Sequence, residues 1–192
     1  DPVMENVTEI DYEDLAKARF AKGYPEPKGR MYFVKSTPKH LDLKSAIKKG
    51  IKNTCFMMSS PPVPWFGVNA IQFLSNQIKK YPHKLDTRKA TLYIGNIIRM
   101  QEEIGTGGAG FRFLYAAFLQ EASVIMESET LNVFSKRMTD IGDKWRNFAY
   151  QAARVCKART TDVVGYTELS ALLMEIYELE KVFFKDLKLV KI

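Results

Sequence analysis

From residue 42 to the end of the chain, apolar residues recur every three or four positions, which is the period of an amphipathic α-helix. The clearest case is residues 111–126, where one helical face is apolar without interruption. Glycines and prolines break the pattern between the periodic stretches. The spacing predicts helices over residues 42–58, 65–81, 87–104, 111–126, 131–157 and 167–187.

Two of these helices have a candidate N-cap, Asp42 for the first and Thr167 for the last. The first forty residues differ. Residues 11–21 predict a short helix, and residues 29–36 predict one strand because aromatic and β-branched side chains lie between turn signals. The predicted fold class is therefore mainly α. It is a bundle of about six helices over residues 41–192, preceded by a short N-terminal extended or strand segment within residues 1–40.

The net charge of +7 is concentrated near the N-terminal end of the predicted bundle. Residues 21–60 hold nine basic and two acidic residues, which accounts for the whole excess. Within them Lys44, Lys48 and Lys52 repeat every four positions, opposite the apolar face of the first long helix. This repeat is typical of a solvent-exposed helix face, and no nucleic-acid motif accompanies it, so nucleic-acid binding is disfavoured.

The sequence predicts a soluble, cytoplasmic protein. No apolar run approaches the ~20 residues of a membrane-spanning helix. The two cysteines, Cys55 and Cys156, lie inside helical patterns and offer no disulfide framework. They are interpreted as buried structural residues, since neither His40 nor His83 pairs recognisably with them. The same four residues lack metal-ligand spacing, so neither a metal nor another cofactor is predicted.

The most distinctive segment is residues 105–112, which read GTGGAGFR between two predicted helices. Glycine backbone and a helix N-terminus can hold a phosphate or carboxylate, and Arg112 could add a bidentate contact. Thr106, Gly107, Gly108 and Arg112 are therefore candidate anion-binding residues. The alternative is structural: the glycines let two antiparallel helices reverse direction, and Arg112 lies at the surface. No lysine followed by serine or threonine comes after the glycines, as a nucleotide-binding loop would require.

Three segments of the chain resemble a known family: Asp1-Pro2, the short helix over residues 12–20, and above all residues 105–121, GTGGAGFRFLYAAFLQE. They are similar to the C-terminal part of proteins related to the butirosin-biosynthesis acyltransferase H. In that family a papain-like N-terminal domain precedes a helical domain of unknown function. The resemblance implies that residues 1–40 are the tail of the papain-like α/β domain plus a connector, and that the chain begins inside a larger protein.

The resemblance also implies cysteine-dependent acyl transfer from an acyl carrier protein to a small amine acceptor, with the catalytic Cys and His outside this chain. Asp1 would then match the residue that orients the catalytic histidine. An acidic carrier protein would dock on Lys44, Lys48 and Lys52. The chain would be an accessory or substrate-binding domain of an acyltransferase or amidohydrolase-like enzyme. The alternatives are a non-catalytic binding module, which could form a homodimer, and thirdly a basic nucleic-acid-associated protein.

Overall fold

The structure, a computed structural model, describes residues 9–23, 26–37, 41–61, 63, 65–158 and 163–191. The chain divides into two units, Asp1–Leu41 and Asp42–Ile192. Among the described residues, no helix combines the length and hydropathy needed to cross a membrane.

The described part of the first unit contains one short helix, α1 (Tyr12–Arg19), which buries none of its side chains. The strand predicted for residues 29–36 is wrong, because the described part of this unit, residues 26–37 included, contains no strand. A strand needs a neighbour that accepts and donates its backbone hydrogen bonds, and none is paired with this segment. Its aromatic side chains Tyr32 and Phe33 remain 84% and 70% exposed. The backbone contact that it does make is with α1, where the Arg19 guanidinium donates to the Gly29 carbonyl.

The second unit confirms the mainly α prediction. Its helices are α2 (Leu43–Ser59), α3 (Asn69–Ile78), α4 (Tyr81–Lys84), α5 (Thr87–Glu102), α6 (Arg112–Met126), α7 (Glu129–Ala158) and α8 (Val163–Leu189), with a 3₁₀ turn at Ala109–Phe111 before α6.

The residues around the helix ends explain where α2, α3 and α8 begin. The Asp42 carboxylate accepts a hydrogen bond from the Ser45 backbone N–H at 2.9 Å, as predicted. The helix predicted from residue 65 begins later, after Gly67, whose φ of +60° is left-handed and cannot be part of an α-helix. The Thr167 cap is wrong. Helix α8 already includes Val163, and the Thr167 hydroxyl donates to the Val163 carbonyl within the helix.

Helices α7 and α8 form the centre of the bundle, because α7 packs against α5, α6 and α8, while α8 also packs against α2 and α3. The apolar positions of α7 that recur every three or four residues are buried in the core: Leu131, Phe134, Met138, Ile141, Trp145, Phe148 and Ala152. The facing stripe on α8 includes Leu169, Leu173, Ile176, Phe183 and Leu187. Two long, central helices therefore carry the surfaces on which the others are positioned.

Candidate functional site

The glycine-containing loop between α5 and α6 has an unusual backbone. Five successive residues, 107–111, have φ angles of 67°, 84°, 51°, 53° and 69°. Glycine adopts such angles freely, but Ala109 and Phe111 are not glycines, and the left-handed conformation costs such residues about 1–2 kcal/mol each. A bulky aromatic residue with this φ is a genuine outlier. The loop is therefore strained, and its surroundings must hold it in place.

Hydrogen bonds to the end of α5 hold this loop. The Thr106 hydroxyl donates to the Gln101 carbonyl at 2.5 Å and accepts from the Gly108 backbone N–H at 3.3 Å. The Ala109 backbone N–H donates to the Glu102 carboxylate at 3.1 Å. The Gln101 amide in turn donates to the Trp145 carbonyl on α7 at 2.9 Å. The loop is thus tied to α5 and, through Gln101, to α7.

A buried ion pair anchors the start of α6. The side chain of Glu180 on α8 is fully buried, and its Oε1 accepts from Arg112 Nε at 2.8 Å and from Trp145 Nε1 at 2.7 Å. Its Oε2 accepts from Arg112 Nη2 at 3.0 Å. Arg112 Nη1 donates to the Gly110 carbonyl at 2.8 Å, and the guanidinium lies 4.9 Å from the Trp145 ring centroid. This bidentate geometry fixes the orientation of the guanidinium.

Sequence reasoning missed Glu180, although a signal was present. The residue lies four positions after Ile176 and three before Phe183, which places a carboxylate inside an apolar stripe. A buried acidic side chain needs a cationic or hydrogen-bonding partner. That requirement indicated a cation or a hydrogen-bond donor elsewhere in the chain, but only the fold shows which residues supply it.

The predicted anion-binding residues lie together in the loop, but their present partners are within the protein. Arg112 already binds an anion, the carboxylate of Glu180. The Glu102 carboxylate and the Arg146 guanidinium both approach Gly108, where an added Cβ would lie 3.1 Å from Glu102 Oε2 and 3.3 Å from Arg146 Nη2. The space beside this glycine is therefore already occupied by two side chains of opposite charge. The structural alternative expected Arg112 at the surface, whereas its side chain is only 21% exposed.

A cavity of about 380 Å³ adjoins the loop. Helices α2, α6, α7 and α8, the connection between α2 and α3, and the loop contribute its lining: Thr54, Met58, Gly67, Gly110, Phe111, Arg112, Tyr115, Met138 and Phe184. The lining residues are mainly apolar and aromatic, with Thr54 and Tyr115 among them. We refer to this space as the loop cavity.

The Tyr115 hydroxyl is buried and has no hydrogen-bond partner. Burial raises the pKa of this phenol well above its ordinary value, and the neighbouring Cys55 raises it further. The Thr54 side chain is near enough to lower the pKa in part, but makes no hydrogen bond of adequate geometry to the phenol. The phenol is therefore neutral at physiological pH.

The remaining candidate residues are dispersed. Lys44, Lys48 and Lys52 are all exposed on α2, but they lie beside the stripe of its buried residues rather than opposite it, because Lys48 and Lys52 each directly follow a buried isoleucine. Asp1 and His40 lie outside the described residues. His83 is exposed on the short helix α4. Among the residues that the structure describes, no cluster of His, Cys, Asp and Glu side chains has the arrangement of a metal site.

Both cysteines have the character of structural residues. Cys55 lies on the buried face of α2 and is 1% exposed, and burial raises the pKa of its thiol from the ordinary 9.0 to about 11. Cys156 is partly buried, its thiol donates to the Thr91 carbonyl at 3.6 Å, and burial raises its pKa too. A thiol with a raised pKa is a poor nucleophile at neutral pH because so little thiolate is present.

Raising the pH from 9 to 11 should lower the free energy of unfolding. The unfolded chain releases the Cys55 proton near pH 9.0, whereas the folded protein retains it until about pH 11, so alkali favours the unfolded state. Denaturant unfolding followed by circular dichroism across this range measures the effect. A Cys55→Ala variant should lose stability less steeply, although Tyr115 still contributes a slope of the same sign. Equal slopes in the two proteins would contradict the burial of this thiol.

Comparisons with known proteins place the chain in a family without extending its description further. A search of curated proteins and a search of solved structures each returned no match. The sequence model of one family matches residues 13–187, which include α1, the glycine-containing loop and almost all of the helical unit. The chain therefore belongs to the family described as Domain of unknown function (DUF4872).

Proposed function

We propose that this chain is a helical accessory and substrate-binding domain of a cysteine-dependent acyltransferase or amidohydrolase-like enzyme, whose catalytic Cys and His lie outside it. The observation that carries the proposal is that residues 110–112 line the loop cavity. They belong to the segment on which the resemblance to the butirosin-biosynthesis acyltransferase H family depends. In that family a papain-like domain would supply the nucleophile. The most distinctive part of the sequence thus contributes to a potential binding site.

The size and lining of the loop cavity support a substrate-binding role. Small-molecule sites are typically about 300–1,000 Å³ and mainly apolar, with a few polar groups that orient the ligand. The loop cavity, at about 380 Å³, is lined by two methionines, two phenylalanines and two hydroxyl-bearing side chains. Methionine side chains adapt to ligands of different shape. An acyl group is a suitable occupant of such a space.

Helix α2 offers a docking surface for an acidic carrier protein. Its exposed face carries Lys44, Lys48 and Lys52, and six residues beyond Lys52 on the same helix Met58 lines the loop cavity. At 1.5 Å per residue, Lys52 and Met58 are roughly 9 Å apart along the helix axis. A carrier protein bound to the lysines would therefore hold its acyl group near the cavity.

Reversing the three charges in the variant Lys44→Glu, Lys48→Glu, Lys52→Glu should weaken binding of an acyl-loaded acyl carrier protein by roughly ten-fold or more at low salt. The reason is that three attractive contacts become repulsive. The difference should shrink as salt is added, because exposed charges are screened. Surface plasmon resonance at several ionic strengths measures both effects.

A matched control reverses three exposed lysines elsewhere, on α7 and α8: Lys136→Glu, Lys157→Glu and Lys185→Glu. This variant has the same net charge, so an equal loss of affinity would indicate a non-specific charge effect. Unchanged affinity in the α2 variant would exclude docking on that helix.

The alternative is a non-catalytic binding or dimerisation module, and a second groove favours it. Between α7 and α8 lies a groove of about 470 Å³, in which Leu179 and Val182, 40% and 48% exposed, lie among five charged side chains. Carrier binding without turnover of an acyl thioester by the complete parent protein would favour this module. Acyl transfer to an amine by the parent protein would favour the enzyme.

A further inference from the structure

We infer that α8 pairs with α8 of a second copy of this chain, with the two helices antiparallel and related by a two-fold axis. The pairing surface is a set of α8 residues that recur in steps of three and four, here called the outer seam: Leu172, Glu175, Leu179, Val182, Asp186 and Leu189. Such a dimer is compatible with an enzyme domain and with a binding module, so it does not depend on the proposed function. Three features of the outer seam support it: exposure, symmetry and charge.

The outer seam exposes apolar side chains at helix-packing intervals. Leu179, Val182 and Leu189 are 40%, 48% and 73% exposed, and the first two lie in the groove between α7 and α8. Residues in alternating steps of three and four form one continuous line along a helix, which is the pattern by which one helix packs against another. Helix α8 buries a different face in its own core, including Leu173 and Phe183. The outer seam is therefore a second packing surface, most of which the described part of the chain leaves exposed.

The outer seam is symmetric about its midpoint, which lies between residues 180 and 181. From either end its residues are apolar, acidic, apolar, apolar, acidic and apolar in turn, at the same spacing. In a two-fold interface, each contact of residue i with residue j of the partner is repeated as a contact of j with i. Antiparallel α8 helices centred on this midpoint would place Leu179 against Val182 of the second copy, and Leu172 against Leu189. Every apolar residue of the outer seam then meets another apolar residue.

The acidic residues of the outer seam already have cations beside them. The centred pairing places Glu175 near Asp186 of the second copy, and two carboxylates alone would repel each other. Lys144 Nζ, however, lies 2.6 Å from Glu175 Oε1, and Arg137 Nη2 lies 3.0 Å from Asp186 Oδ2. Each carboxylate would therefore enter the interface together with a cation from α7 of its own chain.

A further pair of opposite charges favours the antiparallel orientation. Glu178 and Lys185 are both exposed and lie two turns apart on the same side of α8, beside the outer seam. The centred pairing brings Glu178 within ~3 Å, along the helix axis, of Lys185 of the second copy, and the two-fold axis repeats this contact. Within its own chain Glu178 contacts Lys181 at 3.6 Å, an exposed pair of the kind that contributes little. Opposite charges that flank an apolar seam set the partner and orientation of paired helices.

Analytical ultracentrifugation of the full chain should show an equilibrium between monomer and dimer in the micromolar range. The variant Leu179→Asp, Val182→Asp should weaken dimerisation roughly a hundred-fold or more, because four apolar side chains in the interface would become carboxylates. The matched control is Leu92→Asp, Val124→Asp, which alters residues that are 61% and 74% exposed on α5 and α6 and should leave dimerisation unchanged. All four positions are exposed, so both variants should keep the circular dichroism spectrum of the unsubstituted chain.

Charge reversal tests the antiparallel orientation and the identity of the partner as a second copy. Glu178→Lys and Lys185→Glu, each alone, should weaken self-association roughly ten-fold at low salt, because two attractive contacts in each dimer become repulsive. An equimolar mixture of the two variants should dimerise about as well as the unsubstituted chain, since contacts between the unlike variants are attractive again.

An unsubstituted chain that remains monomeric up to roughly 1 mM would overturn the inference. So would unchanged dimerisation in the Leu179→Asp, Val182→Asp variant, or a mixture of the charge variants that dimerises no better than either alone. If the chain were monomeric and the Leu179→Asp, Val182→Asp variant lost affinity for the acyl carrier protein, the outer seam would belong to the carrier interface instead. Dimerisation is measured without the carrier protein, so its outcome is separate from that of the charge reversal on α2.

Discussion

Replacing Arg112 by alanine should lower the free energy of unfolding by about 3–5 kcal/mol, the cost of leaving a buried charge without its partner. Glu180 is fully buried and would retain only the Trp145 indole at 2.7 Å. The Gly110 carbonyl would also lose its donor, so the strained loop would lose an anchor. Chemical denaturation of the unsubstituted chain and of the Arg112→Ala variant measures the difference in the free energy of unfolding.

The matched control is Lys144→Ala, which removes an ion pair with Glu175 in which both side chains are 47% exposed. Such pairs contribute about 0–1 kcal/mol, so this variant should remain close to the parent. Arg112→Lys should be nearly as destabilising as alanine, because an ammonium cannot reproduce the bidentate geometry. If Arg112→Ala kept full stability but lost affinity for an anionic ligand, the anion-binding prediction made from the sequence would be the correct one.

Gly67→Ala should lower the free energy of unfolding by about 2–4 kcal/mol, the sum of left-handed strain and of overpacking. Gly67 has φ of +60°, and an added Cβ would lie 2.4 Å from the Met58 carbonyl oxygen and 2.7 Å from that of Met57. These are backbone atoms, so no side-chain rotation can relieve the clash. The hydrogen bond from the Val68 backbone N–H to the Met58 carbonyl would be lost or weakened.

Gly95→Ala is the matched control for this substitution. Gly95 lies within α5, and an added Cβ there meets no atom within 4 Å. The variant should be more stable than the parent by about 0.5–1 kcal/mol, because alanine is the better helix former. Thermal melts of both variants decide the matter, and equal shifts in the two would show that the clash at Gly67 is relieved by movement of α2.

The buried pair of Arg112 and Glu180 has a positional consequence as well as an energetic one. A buried ion pair often adds little net stability compared with apolar residues of the same shape. Here it holds the first residue of α6, and Arg112 is also part of the cavity lining. The pair therefore links the centre of the bundle, through α8, to the wall of the proposed binding site.

Helix positions were predictable from the sequence because they depend on local information. The apolar period of α6 and α7, the Asp42 cap and the breaks at glycine and proline are all properties of neighbouring residues. The same holds for the exposed lysines of α2 and for the unusual glycine-containing loop. Sequence alone therefore determined that the chain forms an α-helical bundle and which segment of it is conformationally special.

Tertiary structure decided everything that depends on residues far apart in the chain. Residues 29–36 have the composition of a strand, but no other segment that the structure describes is a strand that could pair with them, and a strand is stable only in a sheet. Arg112 and Glu180 are 68 positions apart, and only the packing of the bundle brings them within hydrogen-bond distance. Periodicity reports which face of a helix is buried, but not which charge or cavity it meets there.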